Sequence, residues 1–246
     1  MLTEYLTQTA QLLQNPNAPT SLYSTANLTS WINSARGQLA GEAQCVPAIG
    51  SLALAMGTNV YPFSAITIPN AATLGIQGVL NISTIWIGLP EGQQWIRPRP
   101  WPWFSLYELN NPIYMQSASY AQPQRWSQYG QGVNGSIYVS PVPDTTYTAS
   151  CDCVTVPIPL VDDTTPEAIP ALFTDAVPYF AAYLALLSAQ TGARSADADR
   201  MFERYLEFFN RARRFATPPV LPGIYPQQIN PTRGNQLGLQ PPRGGQ

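Results

Sequence analysis

The sequence predicts an α+β protein: a helical bundle built from N- and C-terminal helices, with an inserted β-rich block and an extended C-terminal tail. Apolar residues recur every three to four positions near both ends of the chain, which is the period of a helix, whereas they alternate in the middle, as in a strand. The final stretch is dominated by Pro, Gly, Gln and Asn. We therefore expect four segments: N-terminal helices (1–45), a β-rich block (46–160), a C-terminal helical hairpin that completes the bundle (161–216) and the tail (217–246).

Two helices are predicted in the N-terminal segment. The first covers Leu2 to Gln14, where Asn15-Pro16 ends the apolar stripe. The second runs from about Thr25 to Ala43. Ser24 is the expected cap of this helix, because a serine hydroxyl accepts a hydrogen bond from a free backbone N–H of the first turn. We expect both helices to pack against the C-terminal hairpin.

The β-rich block is predicted from runs of β-branched and aromatic residues separated by turns. Its expected strands are Leu52–Met56, Ala65–Ile68, Gly78–Gly88, Ser136–Val139 and Thr146–Val156. The segment 94–104 contains prolines at alternate positions. Because proline lacks a backbone donor, we expect this segment to stay out of helices and out of central strands.

The segment Pro166–Arg214 is predicted to form two helices with a short turn at Thr191-Gly192. Pro178 lies inside the first apolar stripe, so we expect the helix to kink or to split into two pieces there, with a bend near Val177. Ser195 is the expected cap of the second helix. A hairpin with such an apolar face has to pack against a partner surface, which the rest of the chain must supply.

Composition limits the classes of function. Charged residues make up 11% of the chain and the net charge is −2, which argues against an electrostatic nucleic-acid binder. The basic residues are all arginine, and 25 residues are proline. A weakly charged, proline-rich surface suits a chain that is covered by neighbouring subunits.

The chain contains no histidine and three cysteines. Without histidine, serine–histidine and cysteine–histidine nucleophile systems are excluded, and the commonest metal ligand is missing. We therefore predict no enzymatic activity and no catalytic, metal-binding or cofactor-binding residues. The first residues lack the pattern of a secretory signal, and the apolar run Val177–Leu187 is about half of the ~20 residues that a membrane span needs. We expect a soluble protein made in a reducing compartment.

Three motifs resemble functional sites and are better explained structurally. Cys151-Asp152-Cys153 lacks further metal ligands. Asp162-Asp163, taken with Asp144 and Glu91, has no fixed spacing for a pair of glycosidase acids, and fits a loop that places negative charge at a helix start. The glycines of 130–135 lack the Lys-Ser/Thr of a phosphate-binding loop and indicate a turn.

An aromatic cluster in the proline-rich segment leaves three interpretations open. It could form a core anchor of the β block, a protein interface, or a platform that stacks on sugars. Its members are Trp95, Trp101, Trp103, Phe104 and Tyr107.

Several segments together resemble the head-to-tail adaptor (connector) proteins of tailed bacteriophages. The resemblance spans roughly Leu2 to Phe215 and depends on the order and spacing of its pieces. These pieces are Leu28–Arg36, Arg125–Gly130, Ile137–Asp144 followed by Tyr147, and Ile169-Pro170 leading into Tyr179–Tyr183.

The resemblance implies a structural protein of the virion neck, made in the host cytoplasm and placed between capsid and tail. Such adaptors are small helical bundles with β elements. They form a ring, usually of twelve copies, beneath the portal protein at the capsid vertex. Tail or neck proteins attach to the ring, and double-stranded DNA passes through its middle without sequence recognition. Neither a cofactor nor a membrane is implied. The alternatives are another tail or baseplate component, or an aromatic-rich glycan-binding module.

Two groups of residues carry hypotheses about contacts. The tail is expected to run along the portal or a neighbouring subunit, because it has no fold of its own. Its candidate partner-binding residues are Thr217, Pro218, Pro219, Tyr225, Arg233 and Arg243. The candidate subunit-interface residues are Arg200, Glu203, Arg204, Glu207, Arg211, Trp101 and Trp103. For the charged helix residues, a solvent-exposed face is the equal alternative.

Overall fold

The computed structural model describes residues 1–15, 22–109, 120–188 and 195–216. Within these residues, five helices accompany a seven-stranded sheet. The helices are α1 (Leu2–Leu12), α2 (Thr25–Ala43), α3 (Trp101–Phe104), α4 (Ala176–Ser188) and α5 (Ser195–Ala216). The strands are β1 (Pro47–Leu54), β2 (Val60–Pro62), β3 (Ile76–Leu89), β4 (Gly92–Pro98), β5 (Arg125–Tyr129), β6 (Ser136–Ser140) and β7 (Tyr147–Pro157).

The sheet has the order β1-β7-β3-β4-β5-β6-β2. Neighbouring strands are antiparallel except β4 and β5, which run parallel and pair Arg97 with Arg125. The first strand pairs with the last along its whole length, from Pro47 opposite Val154 to Leu54 opposite Tyr147. The two ends of the β region are therefore joined directly.

The sheet curls into a half-barrel. Long β3 changes its register against β7 at three places, between Ile76 and Gly78, between Val79 and Asn81, and between Ile82 and Thr84. Each bulge adds a residue to one strand, bends it and increases its twist. Closely spaced bulges in one strand account for the curl.

The α+β class is confirmed, but the expected helical bundle with a β insertion is wrong. The fold is a mixed α+β structure organised around the curled sheet. Val46, which leads into β1, and Ile76 of β3 are buried in the same apolar cluster as the helices, and α2 contacts β7. The sheet is thus a structural layer against which helices pack. Met1–Ala216 form one compact unit, and the four-segment division remains a prediction.

Helix α2 has the predicted bounds, and its cap is confirmed. The Ser24 hydroxyl accepts a hydrogen bond from the Asn27 backbone N–H at 3.2 Å. Helix α1 ends at Leu12, two residues before its predicted end. Its apolar stripe is buried through Leu2 and Tyr5.

Of the two outcomes expected at Pro178, a kinked helix or a helix split into two pieces, the structure has the split, which lies just before the proline. Helix α4 begins only at Ala176, after a separate 3-10 turn at Ala171–Phe173. Pro178 therefore lies in the first turn, where a backbone N–H has no helical acceptor and its loss breaks no bond. Ser195 is the first helical residue of α5 and does not precede the helix, so the expected cap at this serine is wrong.

Two predictions in the β region are wrong. The segment Ala65–Ile68 is not a regular strand: a 3-10 turn ends at Ala65, and Thr67 forms only an isolated bridge to Ser51. The proline-rich segment contributes both a central strand and a helix. Pro98 is the last residue of β4, and Pro102 lies in the first turn of α3, so neither proline removes a donor that the fold needs.

Candidate interface surfaces

The predicted subunit-interface residues on α5 all lie on its exposed face. The opposite face is anchored by Ala198, Tyr205 and Ala212, which are buried at spacings of seven residues. Tyr205 also packs against Phe180 of α4, with ring centroids 4.6 Å apart. The outer face of α5, defined by Arg200, Glu203, Arg204, Glu207 and Arg211, is thus presented on a rigidly packed helix.

Two ion pairs stabilise this outer face internally. Arg204 pairs with Glu207, three residues further along the helix, at 2.9 Å, and Arg200 pairs with Asp197 at 3.6 Å. Hydrogen bonding to Glu207 raises the pKa of Arg204. Exposed ion pairs of this kind contribute little to the stability of the fold. Their main effect is to orient the charged side chains on the outer face of α5.

A second candidate surface, which we call the aromatic surface, is formed by Trp101 and Trp103 together with Arg99, Tyr107, Tyr129 and Tyr138. Trp101 packs against both Tyr129 and Tyr138, with ring centroids 4.7 and 4.6 Å away. The Trp103 ring is tilted against that of Tyr107, with centroids 5.3 Å apart, and the Arg99 guanidinium lies 4.9 Å from the Trp103 ring centroid. Both tryptophans are half-buried.

The aromatic surface is held by a buried support. Phe104 of α3 is fully buried, so it belongs to the core anchor that the sequence left open, whereas Trp95 is 50% exposed. Beyond α3 the chain forms one π-helical turn, Ser105–Leu109, whose Glu108 pairs with Arg125 of β5 and accepts from the Ser140 hydroxyl. These contacts fix the exposed aromatic rings against the sheet.

A cleft of about 670 Å³ opens beside the aromatic surface. Arg99 and Trp101 form part of its wall, and Gln128 and Gln131 contribute amides. An amphipathic wall of this kind suits a polypeptide partner, because aromatic, arginine and amide groups combine apolar area with hydrogen-bonding capacity. Arg99 was not among the predicted interface residues, although the Arg-Pro-Arg spacing at 97–99 was an available signal.

A buried ion pair was also missed. Arg36 of α2 is 1% exposed, and its guanidinium donates to the Glu167 carboxylate at 2.8 to 3.2 Å. It donates further to the Asn33 side chain at 3.2 Å and to the Ile158 carbonyl at 2.7 Å. The pair joins α2 to the segment after β7, so its function in the described structure is to hold the fold together.

The motifs that resembled catalytic or metal sites have structural contacts. Cys151 and Cys153 are free, buried thiols, and burial raises the pKa of each to about 12. Cys45 is also buried, which raises its pKa to about 11. Within the described ranges, no group of three or more potential ligands is placed to hold a metal ion.

The predicted acidic loop caps a different helix from the one that follows it. Asp163 accepts from the Thr3 hydroxyl, from the Thr3 backbone N–H at 2.8 Å and from the Met1 amino group at 3.0 Å. These bonds hold the pKa of Asp163 well below its usual range. The carboxylate therefore lies at the positive end of α1. Asp162 accepts from Thr164 and Thr165 and closes the loop. Between Gly130 and Gly135 the chain makes the predicted turn.

The candidate residues of the tail fall outside the described residues. These are Thr217, Pro218, Pro219, Tyr225, Arg233 and Arg243. The interface assignments on α5 and on the aromatic surface likewise remain predictions, although the structure gives their positions. In the part of the chain that the structure describes, no helix is both long and apolar enough to span a membrane.

Comparison with known proteins identifies the family. No curated protein matches the chain. The model of the family described as SU10 adaptor protein matches residues 2–222. This match covers the described structure and confirms the resemblance to phage head-to-tail adaptors. The chain therefore belongs to the SU10 adaptor protein family, whose members are structural adaptor components of phage virions.

Proposed function

We propose that this protein forms a ring beneath the portal at the capsid vertex, where it links the capsid to the tail and leaves a channel for double-stranded DNA. The observation that carries the proposal is the family match over residues 2–222. In the virion, the protein would lie in the neck and contact the portal on one side and tail or neck proteins on the other.

The surfaces of the protein suit a ring subunit. A closed ring needs two different contact surfaces on each copy, one for each neighbour. The outer face of α5 and the aromatic surface are two such regions on different parts of the compact unit. Twelve copies are the expected number, because adaptors of this kind usually match the symmetry of the portal. DNA would pass without sequence recognition, in keeping with a net charge of −2.

The proposed role is structural and involves no catalysis. The chain has no histidine, and its cysteine thiols are buried with raised pKa values, which disfavours the reactive thiolate. These properties support a protein that acts through its surfaces.

The tail, Thr217–Gln246, is proposed to dock on the portal or on a neighbouring subunit. Its proline-rich composition and few charges favour an extended segment that becomes ordered on a partner. A variant truncated after Ala216 should bind the portal more weakly than the full chain. Equal affinity of the two forms, measured by surface plasmon resonance on immobilised portal, would remove this part of the proposal.

The direct test is negative-stain imaging of the full chain mixed with the portal protein of the same phage. An additional ring on the portal, with matching rotational symmetry, is the expected result. Monomers beside bare portals would contradict the proposal and favour another tail or baseplate component. Glycan binding is a weaker alternative, because the Trp101 ring already packs against Tyr129 and Tyr138 and is only partly exposed. A glycan array would test it.

A further inference from the structure

Two exposed arginines stand together at the end of β4, beside the aromatic surface. The backbone N–H groups of Arg97 and Arg99 donate to the Gln124 and Trp126 carbonyls at 2.9 and 2.8 Å. Both N–H groups point to the same neighbouring strand, so the two side chains project from one face, and their Cα atoms are about 6.6 Å apart. Neither arginine forms an ion pair with a carboxylate that the structure describes.

The surroundings of this arginine pair favour a protein partner. Trp103 lies under the Arg99 guanidinium, and Tyr107 and Leu106 are exposed nearby on the same turn. Tryptophan, tyrosine and arginine are the residues that concentrate binding energy in protein interfaces. Double-stranded DNA would be held mainly by phosphate contacts, to which a half-buried tryptophan adds little. The arginine pair is therefore suited to bind a partner protein whose surface presents carboxylates.

The chain itself presents a matching pair of carboxylates on α5. Asp199 and Glu203 are exposed and stand four residues apart, which places them on one face with Cα atoms about 6 Å apart along the axis. Like charges at this spacing repel each other. The neighbouring arginines, Arg200 and Arg204, have their ion pairs with Asp197 and Glu207. Among the described residues, Asp199 and Glu203 form no ion pair, so an external cation pair would relieve their repulsion.

We propose that the Arg97–Arg99 pair of one copy binds the Asp199–Glu203 pair of the next copy. This inference rests on the proposed ring function and specifies its subunit contact. The Cα spacing of about 6.6 Å between the two arginines is close to that of about 6 Å between the two carboxylates, so two parallel arginine–carboxylate contacts can form. Such contacts are strong when they are bidentate. The exposed rings around the arginines exclude water from the contact. Because the two surfaces differ, each copy joins one neighbour through β4 and the other through α5, and the chain of contacts closes into a ring.

Two charge-reversal variants test the contact. The first, Arg97→Glu with Arg99→Glu, makes both sides of the contact acidic. The second, Asp199→Arg with Glu203→Arg, makes both sides basic. All four side chains are exposed, so each variant should keep the circular dichroism spectrum of the parent. Juxtaposed like charges strongly disfavour a specific contact, and each variant alone should need roughly tenfold or more protein for half-maximal ring assembly on the portal.

The decisive sample is an equimolar mixture of the two variants. In an alternating ring every contact then joins an acidic surface to a basic one, so the mixture should assemble near the concentration of the parent protein. Mass photometry of the portal with each sample gives the number of copies bound. Matched control variants carry the same kind of charge reversal elsewhere: Glu4→Arg on α1 and Arg214→Glu at the end of α5, both exposed. These should assemble like the parent.

Each outcome decides the proposal. Rescue by mixing, with each variant alone needing roughly tenfold or more protein to assemble, supports the contact. Normal assembly of the separate variants overturns it, and so does a mixture that stays unassembled, since the two surfaces then do not face each other. In both of those cases the ring function stands. Failure of the parent protein to form a ring on the portal overturns the proposed function and this contact with it.

Discussion

Replacement of Arg36 by methionine should destabilise the protein strongly without touching an exposed surface. The guanidinium is 1% exposed and makes three N–O contacts of 2.8 to 3.2 Å with a carboxylate, that of Glu167, which is 7% exposed. Methionine fills part of the space but leaves the Glu167 charge buried and unpaired. Loss of one partner of a buried ion pair costs about 3–5 kcal/mol. For a protein of this size, that corresponds to a decrease in Tm of about 6–20 °C.

Thermal unfolding followed by circular dichroism measures the effect. Arg200→Met is the matched control, because this arginine is 76% exposed and its ion pair at 3.6 Å is on the surface; its Tm should change by no more than about 2–4 °C. The double variant Arg36→Met/Glu167→Met removes the orphaned charge and should lose less stability than the two single variants added together, by about 0.5–3 kcal/mol. A Tm for Arg36→Met within 2–4 °C of the parent, or strict additivity in the double variant, would refute the assignment of a stabilising buried pair.

Three further predictions concern single sites. The three cysteine thiols should not react with a thiol reagent at pH 8 in the folded protein and should all react in denaturant, because they are buried and their pKa values are raised; rapid reaction of the native protein would contradict this. Asp163→Asn should lower Tm at pH 7. Contacts from Thr3 depress the pKa of Asp163, so the carboxylate stabilises the fold above its unfolded pKa of about 3.9, and this stabilisation is lost as the pH falls. The Tm values of parent and variant should therefore converge in acid, and a constant difference in Tm from pH 7 to pH 2 would contradict the prediction. Gly135→Ala should destabilise the protein by about 1–3 kcal/mol, because the added Cβ would lie 2.4 Å from the buried Phe63 ring. Gly37→Ala in α2 should stabilise it by about 0.5–1 kcal/mol, because the added Cβ would meet no atom within 4 Å. Urea unfolding measures both changes, and equal effects would contradict the close packing of Gly135 on Phe63.

The helices were predictable where local signals agree. Helix α2 begins and ends as predicted because a cap, a continuous apolar stripe and the absence of proline act at the same place. The paired position of Arg204 and Glu207 follows from helix geometry alone. Caps and ion pairs of this kind depend only on residues that are close in sequence.

The sheet was harder to predict because its pairing joins distant residues. Nothing in β1 or β7 separately indicates that Pro47 lies opposite Val154, or that β4 runs parallel to β5. The effect of the prolines likewise depends on the surrounding fold. Pro98 and Pro178 look like breakers in the sequence, but whether a proline breaks a helix or strand depends on which donors the fold requires at that position.

The candidate surfaces were predictable in part. The exposed face of α5 follows from periodicity, and the clustering of Trp101 and Trp103 follows from their spacing. Tyr129 and Tyr138 join Trp101 only because β5 and β6 pair next to α3. Arg97 and Arg99 project from one face because β4 is extended, whereas the prolines of this segment argued against a strand. A surface composed of several strands cannot be assembled from any single stretch of the chain.

The pairing of β1 with β7, and the packing of α4 against the N-terminal helices, set the order of events during synthesis. Helix α2 ends at Ala43, and α4, which contacts both α1 and α2, begins at Ala176. At about 5–20 residues per second, the ribosome needs roughly 7–26 s to make the intervening chain. Throughout that interval the apolar faces of α1 and α2 lack this partner, and contacts of such high sequence separation also form slowly. The compact unit completes its fold only after α5, which packs on α4, has also been translated.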